Sequence, residues 1–166
     1  MRDTAGARLL IGGTLPARLV SPLCSLIRTN TVTRDHDGAA YTPHTREDLC
    51  TGLDADGYLV LRRVDAPDGE FLELETWLRK QRIGYSRWND ATEEFSASVS
   101  HFRAGWRRPR HFYTDGLEQV YHPETLLRRL RSLLLAGQTS QALRLLNTTS
   151  TDRIAPLPPF RIASRR

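Results

Sequence analysis

Apolar residues along this chain recur with two different periods, and the switches between them divide it into elements. Arg8-Leu-Leu-Ile-Gly12 is a short apolar run closed by Gly12-Gly13, and it reads as a buried strand. Leu19, Val20, Leu23, Cys24, Leu26 and Ile27 then fall at helical spacing, behind Thr14 as a cap and Pro16 in the first turn. Residues 30–44 are polar and turn-rich, apart from a short extended piece at Thr31–Thr33. Thr45-x-x-Asp48, a weak form of the capping box, opens a shorter helix that runs to about Leu53. Tyr58–Leu61 is β-rich and lies between turn signals, which predicts a strand.

Phe71, Leu74, Trp77 and Leu78 mark the clearest helix, with glutamates at its start, Arg79 and Lys80 at its end and Gly84 as its stop. Strands are expected at Tyr85–Trp88, Glu94–Phe102 and Arg110–Tyr113. Pro123 begins a helix carrying Leu126, Leu127, Leu130, Leu133 and Leu134 and ending at Gly137; Thr139 or Ser140 caps a second, with Ala142, Leu143, Leu145 and Leu146 apolar. So short a link predicts an antiparallel helix pair. Prolines extend the tail Ile154–Ile162, and its apolar residues predict that it docks on the domain.

The order β-α-α-β-α-β-β-β-α-α specifies an α+β protein, a small mixed sheet with helices packed on one face. At 166 residues the chain fits one domain spanning 1–166. Residues 8–122 form its sheet-containing part, 123–148 a helical hairpin and 153–166 an extended tail. No apolar run reaches membrane-spanning length; Leu9–Ile27 is interrupted by Gly12-Gly13, Pro16, Arg18 and Pro22 and reads as folded structure rather than a signal peptide. A cytoplasmic location is the default expectation. Cys24 and Cys50 sit among apolar helical positions and read as buried thiols, not as a disulfide framework.

Charge changes this picture. Residues 1–100 carry 12 Lys+Arg against 15 Asp+Glu, and residues 101–166 carry 12 against 4. A net of +5 thus hides an acidic first part and a basic end, an asymmetry that speaks to partners. Lys80 is the one lysine beside 23 arginines. The bias extends into the acidic part, which points to a GC-rich genome more than to phosphate binding.

Chemistry is sparse. The histidines and cysteines form no closely spaced ligand pairs, so no metal and no cofactor is expected. Asp35-His-Asp37 reads as a solvated turn. Gly12-Gly13-Thr14 follows a strand and precedes a helix, yet matches neither nucleotide-binding fingerprint. There is no Gly-x-Ser-x-Gly turn, and no catalytic residue is assigned.

The strongest candidate is His101–Tyr113, where Arg103, Arg107, Arg108 and Arg110 interleave with Phe102, Trp106, Phe112 and Tyr113, with Arg128, Arg129 and Arg131 adding charge on the next helix. Guanidinium groups beside aromatic faces suit phosphate contact and base stacking; the same pattern also describes core aromatics in two strands with arginines at a hairpin tip. A rival surface is acidic: Glu70, Glu73 and Glu75 on the third helix, with Asp90, Glu93 and Glu94. It reads as a solvated helix face and turn, or as a surface that pairs with a partner's arginines.

Gly69-Glu-Phe-x-Glu-Leu-Glu-x-x-Leu78, Ile83-x-Tyr85-x-Arg87, Asp90-Ala91 and Glu94-Phe95, with Gly12-Gly-x-x-Pro16 near the start and Leu157-Pro-Pro-Phe160 in the tail, resemble a group of small accessory proteins carried by phages, plasmids and other mobile elements. That group is acidic almost throughout, and the Arg-rich end departs from it. The resemblance implies a non-enzymatic binding protein acting on a host macromolecule, in the manner of inhibitors of bacterial immunity such as anti-CRISPR proteins. The first expectation is therefore occlusion of a host defence nucleoprotein, CRISPR effectors among them. The second is direct nucleic-acid binding through the Arg/aromatic segment, and the third a hydrolase whose site the sequence does not display.

Overall fold

A computed structural model describes residues 3–35, 38–94, 96–115, 117–151 and 154–164. His36 and Asp37 of the Asp35-His-Asp37 triplet, and Phe95 of an expected strand, lie outside the described residues. The architecture is α+β. Strands β1 (Thr4–Leu15), β2 (Leu59–Pro67), β3 (Gly84–Asn89), β4 (Ser98–Phe102), β5 (Arg110–Thr114) and β6 (Val120–Tyr121) form an antiparallel sheet in the order β2-β1-β3-β4-β5-β6. Strand β7 (Phe160–Ile162) adds a parallel pairing to Gly13–Leu15 of β1. The sheet thus begins earlier than residue 8 and draws in the tail.

Alternation along β1 decides which face is the core. Ala5, Ala7, Leu9 and Ile11 are buried on one side. In register beside them lie Leu61 and Leu59 of β2, Arg87 and Tyr85 of β3, and Phe102 opposite Tyr85 on β4. Helices α1 (Val20–Thr29), α2 (Arg46–Thr51) and α3 (Leu72–Lys80) contribute Leu23, Cys24, Ile27, Leu49, Leu74 and Leu78 to the same cluster. The short piece at 31–33 earns its place through Val32, fully buried, and Thr33, which bridges Arg62 of β2.

Thr45 and Asp48 form a complete capping box: Asp48 N–H donates to Thr45 Oγ1 (3.1 Å), and Thr45 N–H to Asp48 Oδ2 (2.9 Å). The His44 N–H (2.7 Å), then the Thr45 N–H, both donated to Asp48 Oδ2, hold the Asp48 carboxyl below its usual pKa. Cys24 is buried as expected, with its thiol pKa pushed up by burial, but Cys50 is exposed. Helix α2 has only six residues and turns Leu49 inward, which leaves the next position facing out.

The tail docks as its apolar residues predict. Leu157 and Phe160 are buried, Tyr58 O–H donates to the Leu157 carbonyl (2.8 Å), and Gly13 N–H to the Pro158 carbonyl (2.9 Å). It crosses the sheet face opposite the core, over Gly12 of β1 and its partner Gly84 of β3. A Cβ on Gly12 would stand 2.2 Å from the Pro158 carbonyl oxygen, so only glycine lets the tail lie so close. Helices α4 (Glu124–Leu135) and α5 (Thr139–Thr149) form the expected pair, but α4 buries no residue and α5 only Ala142.

Gly12→Ala is expected to displace the tail and lower stability by about 1–3 kcal/mol, the usual cost of overpacking. Denaturant melts, with limited proteolysis near Ala155, check this; unchanged stability and protection would show that the tail contributes nothing.

Candidate functional site

The loop joining β4 to β5 sorts the arginines expected to act together. Arg103 turns inward: Nε–H donates to the Ala155 carbonyl (2.7 Å), and one terminal nitrogen to the carbonyls of Tyr85 (2.8 Å) and Phe102 (3.0 Å) and to Ser86 Oγ (3.3 Å). It is a strut between sheet and tail, not a surface cation. Arg110 places its guanidinium 4.4 Å over the ring of Trp106, which itself packs on the core. Arg107 and Arg108 remain exposed. On α4, Arg128 pairs with Glu124 one turn away (2.9 Å), Arg131 is exposed, and Arg129 lines a groove against β5.

That groove, about 380 Å³, runs between β5 and the helix pair and is lined by His111, Tyr113, Tyr121, His122, Leu126 and Arg129 among others. A second recess of about 610 Å³ continues past His111 to Trp106, Arg107, Arg108 and Asn147. Strand β6 pairs only with Tyr113 and Thr114, so among the described residues β5 has no strand partner on that edge along Arg110–Phe112, while its other edge pairs with β4. Tyr113 and Tyr121 are cross-strand neighbours, 49% and 41% exposed, with ring centroids 6.0 Å apart.

The acidic rival does not form one surface. Glu70 pairs with Arg87 (3.1 Å), and Glu73 lines a recess beside Thr29 and Arg63. Asp90, Glu93 and Glu94 line a separate cleft with Asp115 and Glu118. Glu75, expected on a solvated helix face, is 4% exposed. The reason is Arg87, whose Nε lies 2.9 Å from Glu75 Oε1, the same oxygen that accepts the Phe71 N–H (3.1 Å).

Arg87 is the residue that pattern reading missed. Its side chain is 2% exposed, and it also donates to the Gly69 carbonyl and to Asn89 Oδ1, both at 3.0 Å. Two polar rows follow from the register on this face: Arg87–Ser100–His111, and Asn89–Ser98–Tyr113 continued by Tyr121. Arg87, Asn89, Ser98, His111 and Tyr113 of these rows, with Asp68 and Glu70, line a cleft of about 620 Å³ that adjoins the groove at His111–Tyr113. Partial burial of its ring, then the Arg87 charge, holds the His111 pKa below its ordinary value. The one signal in the sequence was position: Arg87 follows Ile83 and Tyr85 on an inward alternation, and a buried guanidinium demands carboxylates.

On the opposite face His101 stacks edge-on to Trp88, contacts Phe112 and hydrogen-bonds Ser86 Oγ through Nδ1 (2.8 Å). Among the described residues no His, Cys, Asp or Glu cluster is placed to hold a metal ion, and no helix is long and apolar enough to cross a membrane. No family model, curated protein or solved structure matches the chain.

Burial, then the Arg103 charge, pushes the His101 pKa down to about 4. The unfolded chain takes up this proton near pH 6.5 and the folded one only near 4, so the contribution is complete above about 6.5 and is lost as pH falls through that window. His111 acts in the same direction. Urea melts at stepped pH are expected to show stability falling from pH 6.5 to 4, with a shallower fall in His101→Gln; equal slopes would rule out this role for His101.

Proposed function

We propose that the protein binds single-stranded nucleic acid along the groove beside β5. The observation that carries this reading is the exposed Tyr113–Tyr121 pair, with Arg129 in the same groove and Arg107 and Arg108 in the recess that continues it past His111. Successive bases stack on such rings whatever their sequence, each worth about 1–3 kcal/mol, while arginines hold the backbone. Duplex would not suit the site, because stacking requires bases with free faces. The +8 balance of residues 101–166 supplies the attraction.

Fluorescence anisotropy with labelled 12-mer single-stranded DNA and RNA tests it. Three phosphate contacts predict a log–log salt slope of about two for single strands. Tyr113→Ala is expected to weaken binding by roughly tenfold, and Arg107→Glu with Arg108→Glu to flatten the slope. No binding at low salt removes this reading.

A second reading is favoured by the helix pair, where Leu127, Leu134, Leu135, Leu143 and Leu146 are exposed, Leu135 by 79%. Apolar side chains in that number suit a protein partner, in keeping with a mobile-element protein that occludes a host defence nucleoprotein. A pull-down from a bacterial lysate is expected to retain one dominant assembly, and Leu134→Glu with Leu143→Glu to release it. Retention unchanged by those substitutions discards the helix pair as the contact.

A further inference from the structure

The β4–β5 hairpin carries opposite charges at its two ends. Strand β4 runs from Ser98 to Phe102, and β5 returns beside it from Arg110 to Thr114. The loop at one end presents Arg107 and Arg108, both exposed. A Cβ on Gly105 in that loop would meet no atom within 4 Å, so the tip stands clear of the protein around it. At the other end opens a cleft of about 540 Å³, lined by Trp88, Asp90, Glu93, Glu94, Asp115 and Glu118 among others. We propose that the arginine tip of one copy docks in this cleft of a second copy, so that the protein associates head to tail. This docking goes beyond the nucleic-acid reading and stands without it. A bound strand and a neighbouring copy would contend for the same two arginines.

The cleft suits guanidinium groups, and its wall already holds one. Arg8 lies 4.7 Å over the ring of Trp88 and pairs with Glu118. An aromatic face with a carboxylate beside it favours a guanidinium on both counts. Asp90, Glu93, Glu94 and Asp115 are exposed and make no ion pair among the described residues. Five carboxylates against Arg8 alone leave four negative charges to be met. Arg107 and Arg108 are in the converse position, exposed cations with no carboxylate partner among the described residues.

Topology decides the mode of association. Strands β4 and β5 have five residues each, so tip and cleft stand about 15 Å apart along the hairpin. A tip therefore cannot reach the cleft of its own chain. Contact between unlike surfaces is heterologous, and it grows by addition of further copies unless it closes into a ring. The net charge of +5 sets copies against one another at a distance. That repulsion is screened beyond about 10 Å at 0.1 M salt, whereas charges brought together in a cleft are screened much less. Exposed ion pairs contribute little individually, so the association is weak and needs concentrated protein.

Sedimentation velocity of the full chain tests this. At about 0.1 M salt the weight-average sedimentation coefficient is expected to rise as the protein is raised from about 10 to about 300 μM, and to return to the monomer value at about 1 M salt. Arg107→Gln with Arg108→Gln should leave a monomer, and so should Asp90→Asn with Glu93→Gln and Glu94→Gln. Mixed one to one, the two variants are expected to form a dimer that grows no further, because each keeps the surface the other has lost. A wild-type chain that stays monomeric, or association that both variants retain, overturns the docking. So does a mixture that fails to associate while both variants keep the wild-type circular dichroism. Association that survives 1 M salt also overturns it, and assigns the contact to the exposed leucines of the helix pair.

Discussion

A guanidinium is buried within this protein, and much of the structure answers to it. Arg87 lies inward on β3 because the alternation that buries Tyr85 continues two residues further. Its charge has to be met there, since a buried ion without partners is among the most costly features a fold can carry. Glu75 meets it from the first turns of α3, Glu70 from the approach to that helix, Gly69 with a carbonyl and Asn89 with an amide oxygen. Removing one partner of such a group typically costs about 3–5 kcal/mol.

The constraint spreads into the backbone. Asp68 and Gly69 both take positive φ, 54° and 65°, to turn the chain from β2 into α3 with the Gly69 carbonyl facing Arg87. A Cβ at Gly69 would approach that of Asn89 to 2.7 Å, so the turn can close against β3 only with glycine. Asn89 in turn accepts from Ser98 Oγ (2.5 Å) and carries the polar network to β4. Arg87 therefore marks a border on one sheet face. On one side Tyr85 and Phe102 stack at 5.6 Å within the core; on the other, Ser98, His111 and Tyr113 line an open cleft. The group that seals the core is also the floor of the site.

The basic end of the chain divides its labour in a comparable way. Arg103 braces the tail, Arg110 lies on Trp106, and Arg128 pairs along its own helix. What is left for a partner is Arg107, Arg108 and Arg129, drawn to β5 by a loop and a helix about twenty residues apart. Seven formally equivalent arginines in one charge-rich region thus have different environments, and only exposure beside aromatic rings separates those suited to phosphate from those that hold the fold.

Much of the architecture was legible along the chain, because it follows from contacts a few residues apart. The period of Phe71, Leu74 and Leu78 placed α3, Thr45 with Asp48 placed the start of α2, and Leu157 with Phe160 announced that the tail would dock. Lengths and pairings were less legible. Strand β1 extends from Thr4 to Leu15, past the glycines that looked like its end, because β2, β3 and β7 supply its hydrogen bonds in turn. The pairing of Arg87 with Glu75 and Glu70, the alignment of Ser100 with His111, and the meeting of Tyr113 with Tyr121 were decided only in three dimensions. Periodicity tells which side of an element a residue occupies. It does not tell which residue lies opposite, since that depends on register between strands and on how deeply a helix covers the sheet.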